Sequence, residues 1–222
     1  MKTLVISTHP DDETLGCAGT LLKHKRDGDD VHWLIATSTH TPAWSETTIA
    51  TKNDEVHAVS AAYGMDSVSK LDFPAAMLDT IPVAEIINAI GDLTAKIRPD
   101  TVYLVHGGDV HSDHRIVFDT TMSAIKAFNM KDVGVRRILS FETLSSTEAA
   151  PQTPTSTFLP NVFVDISDYI DKKLDIMGLF ETETQDDPLP RGPSAIRALA
   201  RYRGASIGVE YAEAFMLIRE II

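Results

Sequence analysis

Residues Lys2 to Thr8 (KTLVIST) form an unbroken apolar and β-branched run that stops before Pro10, the pattern of a strand buried on both faces. From Thr14 to Arg26 the period changes. Leu15, Ala18, Leu21 and Leu22 recur at helical spacing, Gly16 and Gly19 permit close packing, and Gly28 ends the segment. Val31 to Thr37 (VHWLIAT) predicts a second strand, and Ser38 to Thr48, rich in turn residues and without a period, predicts a loop. Val56, Val59 and Ala62 predict a helix over Asn53 to Tyr63 closed by Gly64, and Ile86, Ile87, Ile90 and Leu93 another over Val83 to Ile97. Thr101 to Val105 (TVYLV) is again a buried strand, followed by polar His106 to His114 and helix-like Ile116 to Phe128.

Strands separated by helix-length segments predict an α/β fold with a mostly parallel sheet and helices on both faces. Beyond Arg137 the pattern weakens. Ile138 to Glu142 reads as a strand, Thr147 to Pro160 is rich in Pro and Thr, Asp168 to Phe180 reads as a helix and Asp186 to Pro193 as a loop. Tyr211 to Ile222 has no decisive period and fits helix or strand. Internal repeats are absent.

The 222 residues, 43% of them hydrophobic, suit a single domain over 1–222 with a substantial core. A net charge of −12 argues against nonspecific nucleic-acid binding. Cys17 alone forms no internal disulfide, and Met1 leads into an apolar run too short for a signal peptide, which predicts a cytoplasmic protein. No segment approaches the roughly 20 apolar residues of a membrane span. Homo-oligomerisation is left open.

Chemistry concentrates in two polar clusters. His9-Pro10-Asp11-Asp12-Glu13 follows the first strand, and Asp109-Val110-His111-Ser112-Asp113-His114 follows the Thr101 to Val105 strand. In an open parallel sheet such loops emerge on one edge, so the clusters can meet. A turn joining His9 to Asp12, with one histidine of the second cluster, supplies two imidazoles and one carboxylate, a three-ligand set that suits catalytic zinc. A purely local reading makes Asp11, Asp12 and Glu13 helix-capping acids. Cys17, one turn inside the first helix, reads as a small core residue. There is neither a GxSxG elbow nor a GxxxxGK loop.

The paired HPDDE and HxDH motifs resemble those of the zinc-dependent PIG-L/LmbE-like N-acetylsugar deacetylases, a resemblance that extends over nearly the whole chain. It implies a Rossmann-like fold, with zinc held by His9, Asp12 and His114 and Asp11 acting as general base. His111 would stabilise the developing oxyanion or protonate the leaving amine, and Asp113 would orient it. Many relatives have arginine three residues before Glu55; here that residue is Lys52, which keeps the charge and loses the bidentate fork. Pro190-Arg191, Arg203-Gly204 and Tyr211 to Phe215 resemble the family's ending, with Arg191 a candidate for a sugar hydroxyl or phosphate. Trp44 and His40 lie in the loop after the second strand, where Trp44 offers a face for a sugar ring. The expected activity is hydrolysis of an N-acetylated amino sugar or its conjugate. The alternatives are metal-dependent hydrolysis of another amide or ester, phosphate esters included, and metal binding without turnover. Specificity is expected in loops 38–50 and 147–161.

Overall fold

The structure is a computed structural model that describes residues 1–222. Its seven strands are β1 (Lys2–Ser7), β2 (Asp30–Ser38), β3 (Ser67–Pro74), β4 (Thr101–Val105), β5 (Arg137–Phe141), β6 (Val162–Asp165) and β7 (Ala212–Glu220). The helices are α1 (Asp12–Arg26), α2 (Glu46–Tyr63), α3 (Val83–Ile97), α4 (Ser112–Ala124), α5 (Met130–Val133), α6 (Ile170–Met177) and α7 (Pro193–Ala205).

One sheet runs in the order β3-β2-β1-β4-β5-β7-β6. The first five strands of that order are parallel, and β7 runs antiparallel to both β5 and β6. This is the mostly parallel α/β sheet that the sequence predicts. Strand order reverses between β1 and β4, so the loops leaving these two strands flank one crevice, the usual ligand position in such sheets. Both strands are apolar and enclosed: Leu4, Val5, Ile6, Val102, Leu104 and Val105 are fully buried. The helices pack in two groups, α1 with α2, α6 and α7, and α3 with α4 and α5.

Several elements depart from the sequence pattern for identifiable reasons. Helix α2 begins at Glu46, not Asn53, because the Ser45 hydroxyl accepts the Thr48 N–H at 3.1 Å as an N-cap. Its first turns are β-branched and largely exposed, which hides the period. Helix α4 begins at Ser112, four residues before the expected start, and ends at Ala124. Strand β3 carries Lys70 and Asp72 on a sheet edge and has no buried residue to mark it. Beyond Phe141, β6 and α7 were not legible, and Tyr211 to Ile222 resolves into β7, whose buried acid Glu213 interrupts the apolar pattern.

Helix α1 lies close on the sheet because Gly16 and Gly19 face it. A Cβ on Gly16 would meet the Phe141 ring at 2.0 Å, and one on Gly19 would meet Ile166 at 2.5 Å. The helix breaks at Cys17, which is fully buried with φ −145° and ψ 21°. A buried ion pair closes the break. Lys173 Nζ donates to the Leu15 carbonyl and to Glu213 Oε1, both at 2.8 Å, while Glu213 accepts the N–H groups of Gly19 (3.0 Å) and Thr20 (2.8 Å). Distant side chains thus replace the helix's own interrupted bonds. Lys173→Met would strand the Glu213 carboxylate, 4% exposed, and is expected to lower unfolding free energy by about 3–5 kcal/mol, measurable by urea unfolding. Lys173→Met with Glu213→Gln should recover part of that loss.

Candidate active site

The turn after β1 is closed by its own carboxylate. Asp12 Oδ2 accepts the N–H groups of Thr8 at 2.9 Å and His9 at 2.8 Å, which brings His9 back over the start of α1. Asp11, between them, has φ 114°, a left-handed conformation that costs a non-glycine residue on the order of 1–3 kcal/mol. Three bonds hold it there: its carbonyl accepts from Thr14 and Leu15, and its N–H donates to Glu13 Oε2 at 3.3 Å. Glu13 is itself fully buried, anchored by Ser7 and Thr14 hydroxyls, and burial pushes its carboxyl up to about 7. The Asp11 side chain caps nothing; its bonded partner is Arg191 Nη1 at 3.4 Å.

From the β4 side, the N-cap position and first turn of α4 deliver His111 and His114. His9, His111 and His114 each present a ligand atom, all within 4.8 Å of one another. Asp12 Oδ1 lies 3.3 Å from His114 Nε2, so a carboxylate joins the three imidazoles. His114 Nδ1 is bonded at 2.8 Å to Asp109, a residue for which the sequence suggested no role, and this directs Nε2 toward Asp12. Burial would drive His114 toward its neutral form, but the carboxylates of Asp12 and Asp109 override it and raise the ring to about 10. Burial likewise opposes ionisation of Asp12, and His114 and His9 nonetheless hold it down at about 2. A field that retains a proton so strongly is one that favours a cation, and the donor set of imidazoles and carboxylate fits a divalent metal.

One expected contact is absent. Asp113 does not reach the His111 ring with its carboxylate; it accepts from His9 Nε2 at 3.3 Å, from the Ala76 N–H at 2.6 Å and from the Leu78 N–H at 3.3 Å. Lying in the first turn of α4, its side chain faces the loop after β3 and orients His9 instead. His111 is oriented by the Asp113 backbone, whose N–H donates to its Nδ1 at 3.2 Å. Burial, reinforced by His9 and His114, lowers His111 to about 4, so the ring is neutral and, with Nδ1 occupied, carries its proton on Nε2. Burial raises Asp11 well above the usual carboxylate range, with Asp12 and Glu183 adding to the effect and Arg191 opposing it.

His9, Asp11, Asp12, His111 and His114 line a cavity of about 410 Å³. Trp44, Lys52 and Arg191 line it too, as does His40. Lys52 donates to Thr182 at 3.0 Å and forms a short ion pair with Glu183, which also accepts from Arg191 at 3.0 Å. Glu55 fastens this segment by accepting both the N–H and the hydroxyl of Thr182 at 2.8 Å. Glu183 was not anticipated, because Glu181 to Gln185 has no period or motif. The loop 147–161 contributes nothing to the lining, contrary to expectation; Thr143 to Ser146 close that side.

The fold and site define an α/β enzyme-type scaffold with a histidine and carboxylate centre at the reversal of its strand order. The chain belongs to the PIG-L, or GlcNAc-PI de-N-acetylase, family, whose model matches residues 4–125. It is 28% identical to the diacetylchitobiose deacetylase of Thermococcus kodakarensis over 98% of this chain and 83% of that one. The N,N'-diacetylchitobiose deacetylase of Pyrococcus horikoshii, in complex with an inhibitor, superposes with a TM-score of 0.78 at 22% identity, covering 98% of this chain and 84% of the other. The 4-carboxy-2-hydroxymuconate hydratase of Pseudomonas putida has the same fold, with a TM-score of 0.76 at 18% identity over 100% and 98% of the two chains. No helix is long and apolar enough to cross a membrane.

Proposed function

We propose that this protein hydrolyses the N-acetyl amide of an amino sugar or its conjugate, releasing acetate and a free amine, with one zinc ion held by His9, Asp12 and His114. The observation that carries the reading is Asp11: a buried carboxylate in a strained backbone conformation, beside a convergent donor set, that caps no helix. A domain that only bound metal would have no use for it. Named relatives that cleave acetylated chitobiose support the acyl group and the sugar.

Zinc, when bound, supplies a Lewis acid for the acyl carbonyl. Asp11 takes a proton from the attacking water and delivers it to the departing nitrogen, and its raised proton affinity makes it a better base than an ordinary carboxylate. Arg191, shared between Asp11 and Glu183, fixes the direction of that carboxylate. His111, neutral with its proton on Nε2, is a hydrogen-bond donor for the developing oxyanion and not a ligand. Lys52, tied to Glu183, steadies the Arg191 side of the wall.

Acetate release from a panel of N-acetylhexosamine conjugates tests the reading directly; none from any member, with zinc bound, would overturn it. Trp44 covers the sugar in this scheme. Trp44→Ala is expected to raise KM for a sugar conjugate by about 3- to 10-fold, the worth of one ring stacking, while changing kcat/KM for a small acetamide far less. Equal losses on both substrates would show that Trp44 supports the site without reading the sugar.

A further inference from the structure

The segment that joins α6 to α7 carries Glu183 and Arg191 into the cavity wall without an apolar anchor of its own. From Glu181 to Arg191 no residue is buried, and Leu189 is 51% exposed. Packing does not fix this segment. Internally, the Arg191 N–H donates to Gln185 Oε1 at 3.1 Å and the Gln185 N–H to the Arg191 carbonyl at 3.5 Å, while Asp187 accepts the N–H and the hydroxyl of Ser194 at 3.0 and 2.5 Å. These bonds give the segment a shape, and its attachment must come from outside.

That attachment is α2, and it is polar. Glu55, only 7% exposed, engages both carboxylate oxygens with Thr182, whose hydroxyl donates to Glu55 and accepts from Lys52, one helical turn earlier. The contacts then run inward, from Glu183 to Arg191 at 3.0 Å and from Arg191 Nη1 to Asp11 at 3.4 Å. Every link is a hydrogen bond or an ion pair. The last lies near the limit of hydrogen-bond length, so a small shift of the segment is enough to break it. Neither Glu55 nor Thr182 lines the cavity, and neither can touch a substrate there. We propose that Glu55 is a positioning residue for the reaction: through Thr182 it holds the 181–191 segment on α2 so that Arg191 stays on the carboxylate of Asp11. The inference rests on the deacetylase reading and extends control of the base to a residue outside the cavity.

The test measures kcat and KM for acetate release from an N-acetylglucosamine glycoside, with the zinc content of each preparation. Glu55→Ala is expected to lower kcat by about 10- to 100-fold, the effect of misplacing a reacting group by on the order of 1 Å, with KM within about 3-fold of the parent and zinc retained. In an Arg191→Met background the same substitution should change kcat by less than about 2-fold, because the relay ends at Arg191. Thr182 is exposed and gives a second route if Glu55→Ala folds poorly. Thr182→Ser keeps both bonds and should keep the parent kcat, whereas Thr182→Val keeps the shape, loses the hydroxyl and should lose about 3- to 10-fold of kcat, again only when Arg191 is present. Near-parent kcat in Glu55→Ala or Thr182→Val, or an equal loss with and without Arg191, would overturn the positioning role and leave the deacetylase reading intact. No acetate from the zinc-bound parent protein would overturn both.

Discussion

Asp11→Asn is expected to retain its metal and lose roughly 100- to 10,000-fold of acetate-releasing turnover, the range attributable to a positioned general base. The amide has the shape of the carboxylate and still meets Arg191, so geometry is preserved while proton uptake is abolished. Steady-state kcat together with zinc analysis of the same preparation decides the matter. A metal-replete variant of near-normal rate would place the base elsewhere. Asparagine also tolerates the left-handed backbone at this position, which keeps the substitution from disturbing the turn.

His114→Ala should weaken zinc binding by at least about 100-fold, more than losses recorded for residues that only orient a ligand. It removes the imidazole nearest Asp12 and leaves Asp109, 1% exposed, without its bonded partner. Competition against a chromophoric chelator measures the affinity, and His111→Ala provides the contrast. On the proposed ligand set His111→Ala binds zinc at close to the native affinity and loses rate. If His111→Ala lost zinc and His114→Ala kept it, the metal would belong to a different combination of the three histidines.

The sheet centre and the metal-binding candidates were legible because both depend on local signals. The runs at Lys2 and Thr101 are buried on both faces, and the polar clusters follow them directly, so strand direction alone brought His9, Asp12 and His114 to one edge. The missed features depend on long-range partners. Proximity in sequence pairs Asp113 with His111, yet a side chain at a helix start points across to another loop, and here it meets His9 and Ala76. Glu183 acquires meaning only once α2 and the segment after α6 pack together through Glu55 and Thr182. Lys70 and Glu213 carry no local signal, because their partners, Asn53 and Lys173, lie on other elements.

The closure of the α1 break sets an order of assembly. Asp11, Asp12 and the first turn of the helix are among the first residues made during synthesis, whereas Glu213 follows Thr20 by 193 positions. At about 5–20 residues per second the ribosome separates the two by roughly 10–40 s. Until β7 inserts between β5 and β6, the N–H groups of Gly19 and Thr20 lack their acceptor, and the emerging chain holds the Asp11–Asp12 turn without the far anchor of its helix. A nascent chain stalled before residue 213 would therefore carry every histidine of the centre and still lack its finished shape.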